Sequence, residues 1–166
     1  MTFATRLALL AVLALSSAGA EGRQTGEGLP GSPPAHQALA LCQHADAVPL
    51  RLREAILTHG LVLAEAAVAA NDGDAAAHFA VFCNLGKRMR LAGPSLQRLV
   101  EVRRLRREID RTLELAPDDP DALLGKGAML LQAPRLLGGD PTAGARFVDR
   151  ARAVGAPHEL SAQVVE

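Results

Sequence analysis

The stretch "IDRTLELAPDDPDALLGKG", residues 109–127, contains the end of an amphipathic helix, a turn of about four residues and the start of a new helix. Residues 63–81, "LAEAAVAANDGDAAAHFAV", follow the same plan, and "VDRARAVGAP" at 148–157 ends a helix in a similar way. A helix–turn–helix unit that recurs along a chain is typical of helical repeats, in which each unit buries its apolar face against the next.

Outward from these stretches, apolar residues keep a helical spacing and no segment alternates like a β-strand, so the predicted fold class is all-α. The core residues are mostly Leu, Ala and Val, with four Phe and no Trp or Tyr, which suits close-packed helices. Turn-forming residues divide the chain into predicted helices at about 35–47, 50–70, 75–92, 95–115, 121–132 and 141–154, with a short terminal helix at 158–166. Asp74 is the predicted N-cap of the third helix.

The N-terminus has the three-part layout of a secretory signal peptide. Arg6 supplies a positive charge, residues 7–15 are an unbroken apolar run, and small residues follow at Ala18 and Ala20. We therefore expect residues 1–20 to be removed after Ala20, and the protein to be exported to the periplasm without stable membrane insertion. The alternative is an uncleaved anchor or a buried helix, although the run is about half as long as a membrane span needs.

Residues 21–34 contain Gly and Pro and few apolar side chains, which predicts a flexible leader. The folded domain is then expected to cover residues 35–166. Its predicted units lie at about 35–74, 75–119 and 120–157, with a short C-terminal tail.

The units resemble the tetratricopeptide repeat (TPR) family, in which small residues let neighbouring helices nest. The matching small residues are Gly60, Ala67, Gly127, Gly144 and Ala151. The resemblance implies about three antiparallel helix hairpins in a short right-handed solenoid. The unit ends at Asp72, Pro117 and Pro157 are 45 and 40 residues apart, longer than the 34-residue repeat, and the aromatic positions are mostly Leu, Val or Ala. A plain helical bundle is the alternative.

The corner "APRLLGGDPTAG", residues 133–144, joins the last two helices. Pro134 is predicted to end the fifth helix, Gly138 or Gly139 to supply a positive φ, and Asp140 to cap the sixth helix, with Pro141 in its first turn.

The form of this corner, "PRLLGGDP", resembles a divergent TPR subgroup. That subgroup includes the periplasmic T-components associated with TRAP transporters and the related regulators of microtubule dynamics. Leu136 and Leu137 are expected to pack back against the hairpin. The corner is interpreted as a well-capped turn in preference to a ligand contact.

The resemblance implies a non-catalytic scaffold of the cell envelope that binds a protein or peptide partner on the face formed by the first helix of each pair. The residues predicted for this face and its rim are Asn84, Lys87, Arg88, Arg103 and Lys126. Two alternatives stay open. One is an accessory solute-binding component of a transporter, which calls for a cavity. The other is a purely structural helical module.

Basic residues concentrate between residues 87 and 111. They are Lys87, Arg88, Arg90, Arg98, Arg103, Arg104, Arg106, Arg107 and Arg111. The concentration is either a docking patch for an acidic peptide or anionic ligand, or a solvated face with local pairs such as Arg104 with Glu108. Nucleic acid is not expected as a partner, because 18 basic residues balance 18 acidic ones and no aromatic residues are interleaved with the patch.

Cys42 and Cys83 are the two cysteines, and in an exported protein they form either a disulfide or two buried free thiols that act as small apolar residues. A metal site formed by this pair with His44 and His78 is not expected, because residues two or five apart on a helix do not share a face. The sequence contains no nucleophile with a recognisable base, no phosphate-binding loop and no HExxH motif, so we expect neither an enzyme nor a cofactor.

Overall fold

A computed structural model describes residues 28–93 and 99–156 and confirms the all-α fold class, with no strand in either described part. The helices are α1 (Pro33–Ala47), α2 (Leu50–Ala70), α3 (Ala75–Ala92), α4 (Leu99–Leu115), α5 (Pro120–Gln132) and α6 (Pro141–Ala153). A 3₁₀ turn at Arg135–Leu137 lies between α5 and α6. The predicted signal peptide, the terminal helix and Pro157 lie outside the described residues.

Three of the helices begin at an aspartate, as local sequence rules require. The side chains of Asp74, Asp119 and Asp140 each accept a hydrogen bond, at 2.8–3.0 Å, from the backbone N–H three residues further along the chain. The predicted caps at Asp74 and Asp140 are therefore confirmed.

Consecutive helices pack against each other along the chain, α1 on α2, α2 on α3, α3 on α4 and α5 on α6. The helix α3 also packs on α1, whereas the α5–α6 pair contacts the rest mainly through α4. Alanines without solvent exposure fill the space where α1, α2 and α3 meet, among them Ala38, Ala64 and Ala80. Their short side chains let three helices approach closely. None of the described helices is long and apolar enough to cross a membrane.

The small residues singled out in the sequence are all buried: Gly60, Ala67, Gly127, Gly144 and Ala151. A Cβ added at Gly60 would overlap the amide oxygen of Asn84 on α3. A Cβ added at Gly127 would lie 2.8 Å from Val148 Cγ2 on α6. These positions therefore need small residues because a neighbouring helix occupies the space.

The predicted flexible leader, residues 21–34, is corrected at its C-terminal end. Leu29 is 6% exposed and packs among alanines of α1, α2 and α3. The backbone N–H of Ser32 donates to Asp74 Oδ2 at 2.8 Å. Residues 28–32 are thus part of the fold, because an apolar anchor and the capping carboxylate of α3 both hold them.

Both its own turn residues and a contact from α4 stabilise the corner between α5 and α6. The helix α5 stops just before Pro134, and Gly138 has a φ of 81°, as predicted. Arg106 on α4 donates to the carbonyl oxygens of Leu137 at 3.0 Å and Gly138 at 2.8 Å. The expectation that both leucines pack back is wrong for Leu136, which is 99% exposed, because the 3₁₀ turn directs it to solvent.

Candidate functional site

The structure removes Asn84 from the predicted partner-binding face. Its side chain has no solvent exposure, and Nδ2 donates to the carbonyl oxygens of Ala38 at 3.0 Å and Ala80 at 2.9 Å. Asn84 therefore links α3 to α1, and the prediction that it faces a partner is corrected.

The two lysines of that face connect helices in the same manner. The Lys126 side chain is 10% exposed and forms an ion pair with Asp110 on α4. The Lys87 ammonium donates to the carbonyl oxygen of Cys42 at 2.8 Å and to Asp46 on α1. Much of the hydrogen-bonding capacity of both groups is used inside the protein, so neither forms the open basic face that was expected.

The remaining predicted face residues differ in exposure. Arg88 is half-buried, and its Nε has no hydrogen-bond partner in the described part of the chain. Arg103 on α4 is exposed. Neither side chain lies beside the groove described next.

An apolar groove of about 410 Å³ lies between α3 and α5. Val102 and Leu105 of α4 also line it, and Ala133, Pro134 and Leu137 of the corner line it beyond the C-terminal end of α5. The rings of Phe79 and Phe82 line the groove from α3 and stack with centroids 5.9 Å apart.

The groove exists because bulky rings and very small residues line the same gap between α3 and α5. A Cβ added at Gly125 on α5 would lie 2.8 Å from the ring of Phe82, so ring and backbone already touch there. Elsewhere the walls carry Gly86 on α3 and Ala128 on α5, which fill little space. The two rings act as spacers, and the small residues leave the volume beside them empty.

Positive charge lies at one side of the groove. Lys87 and Arg90 line it, and both also line a second cavity of about 290 Å³ beside the C-terminal end of α1. That cavity contains Asp46 and Arg53 as well. The apolar groove and the charged cavity therefore share two cationic side chains.

Cys42 and Cys83 form a disulfide that joins α1 to α3. Cys83 also lines the groove, so the bridge fixes one wall of it relative to α1. The other two residues of the rejected metal set do not join them: His78 Nδ1 lies 2.7 Å from Glu108 Oε2, and His44 is exposed on α1. No metal-binding group of three or more such side chains occurs within residues 28–93 and 99–156.

Part of the basic concentration is engaged in ion pairs. Arg104 lies 2.7 Å from Glu65 on α2 and 3.6 Å from Glu108, the predicted local pair. Arg111 lies 3.0 Å from Asp72 in the turn before α3. These arginines connect α4 to α2 and to the turn that follows α2. This agrees with the interpretation of the basic concentration as a solvated face whose arginines pair with acidic residues. Arg98 lies outside the described residues.

No pattern in the sequence predicted the groove between α3 and α5. Phe79 and Phe82 are half of the four phenylalanines in the chain and lie one helical turn apart, a signal that could have located the junction. Comparison with known proteins adds no identification, since no family model, no curated protein and no solved structure matches this chain.

Proposed function

We propose that this chain is a non-catalytic, TPR-like binding module, and that the groove between α3 and α5 is its binding site. The packing of consecutive helices supports the TPR-like arrangement, as does the direct packing of α1 on α3. The small residues at the helix contacts support it too. With the predicted signal peptide, the module would act outside the cytoplasm.

The groove itself carries this proposal. A groove of about 410 Å³ falls within the range of roughly 300–1,000 Å³ that small-molecule sites occupy. Its apolar walls gain stability when a ligand displaces water from them.

A small solute is the occupant that the geometry supports best. The groove is half open to solvent and has residues of α3, α4, α5 and the corner as its lining, so a compact ligand meets apolar side chains on several sides. The basic face expected to hold an acidic peptide is largely absent, because Asn84, Lys87 and Lys126 are committed to contacts between helices.

A protein or peptide partner is the second candidate, and one observation favours it. Leu136 is 99% exposed and precedes Leu137, which lines the groove. A partner that inserts an apolar side chain into the groove can cover Leu136 as well, which a solute inside the groove cannot do.

The test is titration of the purified, oxidised protein with the uncharged fluorescent dye N-phenyl-1-naphthylamine. We expect an increase in fluorescence with one site per chain. The variant Ala128→Leu fills the groove and should abolish it, while Ala145→Leu, an exposed alanine on α6, should bind as the native protein does.

Two outcomes would contradict the binding site. One is no dye binding by the native protein, which would leave the purely structural module. The other is unchanged binding by Ala128→Leu. For the second candidate, Leu136→Ser should weaken capture of a partner protein and leave dye binding unchanged.

A further inference from the structure

The groove and the neighbouring cavity differ in polarity and meet at two cations. Phenylalanine, leucine and methionine side chains line much of the groove. The smaller cavity contains Asp46 and Arg53, and it shares Lys87 and Arg90 with the groove. A ligand that lies across this junction meets an apolar surface at one end and positive charge at the other.

The charges at the junction do not balance. Three cations, Arg53, Lys87 and Arg90, face the single carboxylate of Asp46 in the smaller cavity. Arg53 donates to the carbonyl oxygens of Val48 and Asp46, at 3.0 and 3.2 Å, and so serves the end of α1. The region therefore keeps an excess of positive charge that an anion can neutralise.

Arg90 is the cation at the junction whose hydrogen-bond donors are uncommitted. Its side chain is exposed, and the guanidinium makes no hydrogen bond or ion pair with any residue in the described ranges. Lys87, by contrast, is held by Cys42 and Asp46. A planar guanidinium can bind a carboxylate through two parallel hydrogen bonds.

We propose that the ligand of the groove is an amphipathic monoacid, with its apolar body between α3 and α5 and its anionic group on Arg90. This inference rests on the proposed binding function of the groove. A single acid group fits best, because one cation is uncommitted and a second negative charge in the smaller cavity would face Asp46. A neutral ligand forms no ion pair with Arg90, and Arg90 repels a cationic ligand.

The inference is tested by calorimetric titration of the purified, oxidised protein with three probes. Decanoate carries both the apolar body and the acid, decanol has the same body without charge, and acetate has the acid without the body. We expect decanoate to bind roughly tenfold to a hundredfold more tightly than decanol, and acetate to show no binding.

A matched pair of variants assigns the charge. Arg90→Gln should reduce decanoate affinity to that of decanol while decanol affinity stays unchanged. Arg146→Gln removes an exposed arginine of α6 that does not line the groove and should preserve the preference for decanoate. Both positions are exposed, so neither change disturbs the core.

The possible outcomes distinguish a failure of the monoacid inference from a failure of the proposed binding function. Equal affinities for decanoate and decanol, both lost in Ala128→Leu, would overturn the monoacid and leave the groove as a binding site. A preference for decanoate that survives in Arg90→Gln would overturn the role of Arg90. Absence of binding by both decanoate and decanol would overturn the solute-binding function itself.

Discussion

The helix α3 meets α1 across a filled junction and approaches α5 across an open one. Toward α1, the disulfide and the bond from Asn84 to Ala38 join the helices directly, and the two backbones pack closely. Toward α5, no comparable backbone packing forms, and the ring of Phe82 reaches Gly125 across the gap.

The difference lies in side-chain size and polarity along a single helix. On its α1 side, α3 carries alanines, Asn84 and Lys87, which are small or reach backbone carbonyls. On its α5 side it carries the two phenylalanine rings, which keep the helices apart, and Gly86, which fills nothing. One junction therefore stabilises the fold, and the other leaves open the groove that we propose as a binding site.

Removal of the disulfide should have the largest effect on the filled junction. The bridge spans 41 positions of sequence, and closing a loop of this length contributes about 4 kcal/mol in the chain-entropy model. We expect the double variant Cys42→Ala, Cys83→Ala to lose about that much free energy of unfolding, measured by urea denaturation. A loss below about 1 kcal/mol would mean that the packing of α1 on α3 does not need the bridge.

Two glycine substitutions compare the packing beside Asn84, the residue that bonds α3 to α1, with the packing at the wall of the groove. Gly60→Ala places a methyl group against Asn84 and should cost about 1–3 kcal/mol in the free energy of unfolding. Gly86→Ala meets only Leu105 at 3.5 Å, an ordinary contact, and should stabilise the protein by about 0.5–1 kcal/mol through helix propensity. Thermal denaturation measures both. Equal destabilisation by the two changes would mean that the groove wall at Gly86 is packed as tightly as the surroundings of Asn84.

The end of the open junction depends on Arg106. Arg106→Ala removes the two hydrogen bonds to the corner carbonyls and should cost about 1 kcal/mol, with weaker dye binding in the groove. Arg107→Ala is the control, because this neighbouring arginine is exposed, and it should change stability by less than about 0.5 kcal/mol. Identical effects would show that the corner is held without Arg106.

The N-caps of α3 and α5 give the smallest expected effect. Burial raises the pKa of the Asp74 carboxyl, but hydrogen bonds from Ser32 and Ala77 outweigh it and leave the pKa below its ordinary value of 3.8. Burial also raises the pKa of Asp119, and there the bond from Ala122 does not compensate, so that pKa lies above 3.8. The two caps therefore affect stability at low pH in opposite directions.

Asp74 stabilises the fold above pH 3.8, and that contribution is lost as the pH falls through its lowered folded-state pKa. The contribution of Asp119 is present below pH 3.8 and is lost as the pH rises through its raised pKa. Between about pH 6 and about pH 2, Asp74→Asn should flatten the loss of unfolding free energy, and Asp119→Asn should steepen it. Parallel curves for the two variants would contradict this assignment.

The helices could be predicted because the residues that begin and end each helix lie next to it in the sequence. Asp74 and Asp140 cap the helices that they precede in the sequence, and the small residues mark helix contacts by their size alone. The predicted start of the folded domain at residue 35 is too late. Leu29 is buried by residues of three different helices, and local sequence does not reveal such a contact.

The site was not predictable in the same way. Polar residues such as Asn84 and Lys126 look like surface residues in a helical sequence, and only the structure places their partners on neighbouring helices. The groove requires Phe82 to face Gly125, two residues far apart in sequence and on helices that do not pair with each other. Composition and periodicity carry no information about such a distant pairing.

The most direct test of the binding site is a pair of ¹H–¹⁵N correlation spectra of the assigned, oxidised protein, with and without decanoate. We expect the largest shift changes at Gly86, Gly125, Ala128 and Arg90, and none at Gly60, which lies on α2 against Asn84 and does not line the groove. Shift changes centred on α1 and α2, or none anywhere, would contradict the assignment of the groove between α3 and α5 as the binding site.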